Sequence, residues 1–69
     1  MICSERLAQL RREHDYTQEQ LAELIGVSRQ TISKWETGAA NPDIEKLIQL
    51  SKLYNCSVDY MIGNKINSK

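Results

Sequence analysis

TQEQLAELIGVSRQTISKW, residues 17–35, reads as two short helices, each opened by a hydroxyl side chain and separated by a glycine-centred turn. Thr17 can accept the amide of Gln20 while Gln20 reaches back to the Thr17 amide. Tyr16, just outside, can pack on Leu21 one turn in, so the start is a capping box with a hydrophobic staple. The arrangement recurs at Ser28, with Val27 outside and Ile32 inside, although Thr31 cannot supply the reciprocal half. Each cap contributes about 1 kcal/mol. Gly26 stands where the first helix must end, because glycine enters the left-handed conformation that satisfies the last carbonyls at low steric cost.

Outward from this unit, apolar positions recur at intervals of three and four, and no stretch alternates cleanly between apolar and polar. The pattern predicts an all-α chain of five helices. The first runs from about Cys3 to Glu13, with Cys3, Leu7 and Leu10 on one stripe and Arg6 and Arg12 outside it; His14, Asp15 and Tyr16 link it to the second. Helix 2 covers Gln18 to Ile25 and buries Leu21, Ala22 and Ile25; helix 3 covers Arg29 to Thr37 and stops at Gly38. Pro42 biases Asn41 out of the helical region, and Asp43 caps a fourth helix, Ile44 to Tyr54. That helix is expected to turn Ile44, Leu47, Ile48 and Tyr54 inward and Glu45, Lys46, Gln49 and Lys52 toward water. Ser57 caps a fifth helix through Ile62. The predicted domain is 1–62, and 63–69 form a polar tail expected to fray.

Sixty-nine residues make one domain with no material for an enclosed catalytic cleft. Nine acidic and nine basic residues cancel, so any attraction to a polyanion must come from local charge placement. Cys3 and Cys56 lack the paired short spacing of metal or redox motifs and read as small core residues. His14 is the lone histidine, read as a surface linker residue, and no metal site is expected. No apolar run approaches the roughly 20 residues that span a bilayer, and the N-terminus lacks a basic region followed by an apolar stretch. The expected location is cytoplasmic. With no carboxylate pair, activated nucleophile or glycine-rich phosphate loop, the chain is expected not to be an enzyme; no cofactor or small-molecule ligand is implied.

Helix 3 carries the chemistry. At about 100° per residue, Arg29, Gln30, Ser33, Lys34 and Thr37 share an arc of roughly 140°, while Ile32 and Trp35 lie opposite. Base edges in the major groove are read by such side chains: Arg or Lys on guanine, Gln on adenine, small hydroxyls as adaptable contacts. Any surface helix has a polar face. A second helix held across a first by a short glycine turn, however, can protrude into a groove.

The segment from Leu7 to Ile62 resembles the Xre or phage Cro and repressor type of helix-turn-helix domain. The resemblance rests on TQEQLA at 17–22, GVS at 26–28, ISKWETG at 32–38 and NPD at 41–43. It implies a lambda-repressor-like five-helix bundle whose third helix reads double-stranded DNA. Base contacts would come from Arg29, Gln30, Ser33 and Lys34. Backbone contacts would come from Gln18, Ser28, Thr31, Thr37 and Asn41, with Gln18 beside a phosphate at the start of helix 2. Ala39 and Ala40 occupy loop positions where many relatives carry Lys or Arg, which implies modest phosphate affinity. Glu13, Asp15, Glu19 and Glu23 are expected to point away from the DNA.

Arg11 and Glu36 match a pair that similar domains use as a partly buried ion pair, the reading preferred here over a phosphate contact by Arg11. Trp35 reads first as a core residue, with its indole N–H a further candidate donor to the DNA backbone. Leu53, Met61 and Ile62 either finish a small core or form a dimer interface, which similar domains place near their C-terminal end. Together these features point to a sequence-specific transcriptional regulator, a repressor that occupies promoter DNA as a homodimer. Its two half-sites on a palindromic operator would lie about 34 to 36 Å apart. The alternative is a protein-interaction module, an antitoxin or antirepressor, on the same fold.

Overall fold

The computed structural model describes residues 3–63, and among them the elements are five helices and no strand. They are α1 (Ser4–Glu13), α2 (Gln18–Ile25), α3 (Arg29–Thr37), α4 (Ile44–Tyr54) and α5 (Val58–Ile62). The predicted bounds hold except at the start of α1. Cys3 is the N-cap there, makes no side-chain capping bond, and is half-buried. Sulfur is a poor acceptor for this task; Glu5 in the first turn and Arg11 and Arg12 in the last complement the helix dipole instead.

Both caps of the central unit form. Thr17 Oγ1 accepts from the Gln20 amide at 3.0 Å and the Thr17 amide donates to Gln20 Oε1 at 2.9 Å. Ser28 Oγ accepts the Thr31 amide at 3.2 Å, and the two hydroxyls lie 3.0 Å apart, so Thr31 answers the cap through its hydroxyl rather than the reciprocal backbone bond. Gly26 closes α2 at φ +85°, and open space surrounds its α-carbon. The backbone angle alone therefore demands glycine there.

The core is Leu7, Leu10, Leu21, Ala22, Ile25, Ile32, Trp35, Leu47, Leu50, Tyr54 and Met61, gathered from all five helices. On α4 the expected inward face is corrected. Leu50 is buried, whereas Ile44 is 63% and Ile48 42% exposed. Leu47, Leu50 and Tyr54 set the buried direction, and at about 100° per residue Ile44 and Ile48 fall roughly 90° and 130° from it. Leu53, read on the polar side, is half-buried against the core. Lys46, expected in water, donates to the Ile25 carbonyl at 3.3 Å. It thus supplies the cation at the C-terminus of α2 that the helix's own last turn lacks.

The bundle closes where α5 returns to α1. Arg6 Nη1 donates to the Tyr60 carbonyl at 2.8 Å, with its guanidinium carbon 4.2 Å from the centre of the Tyr60 ring. Gly63, expected to open the tail, is the left-handed C-cap of α5 and packs against Cys3. The rest of the predicted tail lies outside the described residues. No helix among them is long and apolar enough to cross a membrane. Truncation of α4 tests the corrected facing: Leu50→Ala should cost about 2–5 kcal/mol and Ile48→Ala at most about 1 kcal/mol, measured by urea denaturation. Equal costs would restore the sequence-based facing.

Candidate nucleic-acid interface

Helix α3 is held from behind. Ile32 at 1% and Trp35 at 5% exposure anchor it in the core, and it packs chiefly against α2 and α1. The opposite side is free: Arg29, Gln30 and Lys34 are exposed, Ser33 is half-buried, and among the described residues none of these four side chains hydrogen-bonds to another protein group. Their donors and acceptors are therefore uncommitted, as a surface that reads base edges needs.

The flanking candidates divide. Asn41 and Thr37 are exposed, the Thr37 hydroxyl donating to the Lys34 carbonyl at 3.3 Å. Ser28 is exposed at the mouth of the turn with its hydroxyl engaged in the cap, and Thr31 is half-buried beside it. Trp35 belongs to the core rather than to the polar face. Its ring anchors α3. Met61 is fully buried at 0% exposure because α5 folds it back under the bundle, so it finishes the core and offers no dimer surface. Leu53 and Ile62 are half-buried.

Behind the turn lies a polar cluster. Arg11 donates from Nε to Glu36 Oε2 at 2.7 Å and from Nη2 to Glu36 Oε1 at 3.2 Å, a two-pronged pair with side chains only 14% and 8% exposed. Its remaining terminal nitrogen, Nη1, donates to the Tyr16 carbonyl at 2.8 Å in the link before α2. Gln18 adds a third arm, its Nε2 donating to Glu36 Oε1 at 3.0 Å. The ion pair was legible from the resemblance; the engagement of Gln18 with it was not, since nothing in local spacing brings residues 18 and 36 together.

Tyr54 borders the same region. Its hydroxyl is buried and has no hydrogen-bond partner among the described residues, and it shares a cavity of about 10 Å³ with Glu36 and Trp35. His14, exposed as expected, stacks obliquely on the Tyr54 ring at 4.8 Å and places Nδ1 2.9 Å from the Leu10 carbonyl. Among the described residues no three His, Cys, Asp or Glu side chains are grouped to hold a metal ion.

A helix-turn-helix family model matches residues 7–61 of this chain. The chain belongs to the helix-turn-helix family. It is 44% identical over 63 residues to the HTH-type transcriptional regulator YobD of Bacillus subtilis (strain 168), spanning 91% of this chain and 55% of that protein. It is also 44% identical over 65 residues to the HTH-type transcriptional activator BcrR of Enterococcus faecalis, spanning 94% of this chain and 32% of that one. The chain thus spans about half or less of the length of these curated relatives. Among solved structures, the P22 c2 repressor in complex with a synthetic operator superposes with a TM-score of 0.82 at 35% identity, over 90% of this chain and 94% of that one. The chain and the P22 c2 repressor thus share the repressor-type fold.

The orphaned hydroxyl gives a pH signature. Burial first, and the Glu36 carboxylate second, push the Tyr54 phenol well above its usual range, against a smaller opposing pull from Arg11. The unfolded chain releases this proton near pH ~10 while the folded chain retains it. The associated stability is full below that pH and falls as pH rises beyond it. Tyr54→Phe should be neutral to stabilising near neutrality and should remove up to about 1.4 kcal/mol per pH unit of the alkaline decline. Urea denaturation of both proteins from about pH 8 to about pH 11 reads the difference; parallel curves would mean the phenol is solvated in the fold.

Proposed function

We propose that this helix-turn-helix chain is a sequence-specific DNA-binding regulator that sets α3 in the major groove and represses by occupying promoter DNA. The observation that carries the reading is the two-sided character of α3. Ile32 and Trp35 fix it to the core while Arg29, Gln30 and Lys34 project with no side-chain hydrogen-bond partner among the described residues. Its likeness to the P22 c2 repressor, solved on a synthetic operator, supports the same assignment. Arg29, Gln30, Ser33 and Lys34 choose the sequence; Ser28, Thr31, Thr37, Asn41 and the start of α2 at Gln18 hold the phosphates.

A chain with no net charge has no long-range field to draw in DNA. Tight binding then requires two copies on two half-sites about 34 Å apart, so that the second contact is made at high effective concentration. Leu53 and Ile62 retain surface for such pairing; Met61 does not.

Selection of duplexes from a random pool, followed by binding at several salt concentrations, tests this. Wild type should enrich a two-fold symmetric site and lose affinity steeply as salt rises. Gln30→Ala should relax base preference at one position of each half-site, at a cost of about 1–3 kcal/mol per lost bidentate contact. No enrichment, or an unchanged preference in Gln30→Ala, would refute the placement of α3.

A further inference from the structure

We propose that Glu36 is a positioning residue for DNA contact: its carboxylate turns the Gln18 side-chain amide so that the nitrogen, and not the oxygen, is presented beside α2. The inference rests on the DNA reading above and adds to it a function for the ion pair.

The argument is one of hydrogen-bond valence. Ionised Glu36 can only accept, and Arg11 occupies both of its oxygens, at 2.7 Å and 3.2 Å. The group of Gln18 that sits 3.0 Å from Glu36 Oε1 must therefore be Nε2. An amide nitrogen carries two hydrogens, and Glu36 takes one. The other remains for an anion. An unheld Gln18 could rotate its carbonyl oxygen toward a phosphate, setting two acceptors against each other; the Glu36 bond removes that rotamer. Arg11 makes the device rigid. It grips Glu36 with two nitrogens and the Tyr16 carbonyl, two residues before Gln18, with the third at 2.8 Å. The carboxylate on α3 and the first residue of α2 are thus tied through one guanidinium. With side-chain exposures of 14% and 8%, the pair is shielded from the salt that weakens surface charges.

A double-mutant cycle on DNA affinity tests the link, using a duplex selected by the wild-type chain and proteins verified as folded by circular dichroism. Gln18→Ala should lower affinity on the order of tenfold per half-site, with the salt slope unchanged because no cation is lost. Glu36→Asp keeps the charge but shortens the reach to Gln18 and to Arg11 alike, and should produce at least as large a loss. Because the part of that loss due to the Arg11 pair is common to both backgrounds, the readout is the coupling: Glu36→Asp should cost several-fold less in Gln18→Ala than in wild type. A purely structural Glu36 would instead show equal costs in both backgrounds, and that result overturns the proposal. The side-chain amide of Gln18 gives a second readout by NMR without DNA: one proton shifted and slowed in exchange in wild type, and restored to free values in Glu36→Asp. A free amide in wild type also overturns it. If wild type holds the amide yet selects no duplex, the DNA reading fails while the Glu36–Gln18 link stands.

Discussion

One guanidinium–carboxylate pair fixes the geometry on which the rest of this small domain depends. Arg11 on α1 and Glu36 on α3 lie on elements that the chain separates by two links and an intervening helix, and both charges are largely withdrawn from water. Burying them gains little net stability over an apolar substitute, because desolvation offsets most of the attraction. What the pair does is exclude other arrangements. Any slide of α3 along α1 breaks a two-pronged contact and leaves a charge stranded, at a cost of about 3–5 kcal/mol, comparable with the whole net stability of a domain this size. The pose of α3 is therefore specified more sharply than Ile32 and Trp35, which are tolerant of small shifts, would specify it alone.

That pose separates two jobs on one nine-residue helix. Apolar residues and Glu36 face inward, and Arg29, Gln30 and Lys34 face out, their side chains unbonded among the described residues. The caps at Thr17 and Ser28 and the left-handed Gly26 hold the turn before it to one geometry, so the exposed side chains start from a rigid base. Rigidity matters here because the chain has no net charge. Affinity must come from contacts made in place, and each contact that needs no prior ordering loses less entropy on binding.

The caps, the turn and the bounds of α2, α3 and α4 were legible in the sequence because each depends on residues within four positions of one another. The polar face of α3 was legible for the same reason. The facing of α4 was not: Ile44 and Ile48 look as apolar as Leu47 and Leu50, and only the direction from which α2 and α5 approach decides which pair is buried. Lys46 on the Ile25 carbonyl, Arg6 on Tyr60 and Gln18 on Glu36 join residues 18 to 54 positions apart, beyond any local pattern. Arg11 and Glu36 were found only through resemblance to a family whose members place such a pair there. Met61 showed the limit of short helices, since one turn and a half carries too little periodicity to tell a core residue from a surface one.

The direct test of this account is the stability of Arg11→Met, Glu36→Met and the double variant, measured by urea denaturation. Each single change should cost about 3–5 kcal/mol and bring the domain to the edge of unfolding, while the double variant, with no charge left stranded, should be more stable than either single. Single-variant costs that simply add, to within about 0.5 kcal/mol, would show that the two charges act independently. The pose of α3 would then rest on the apolar core alone.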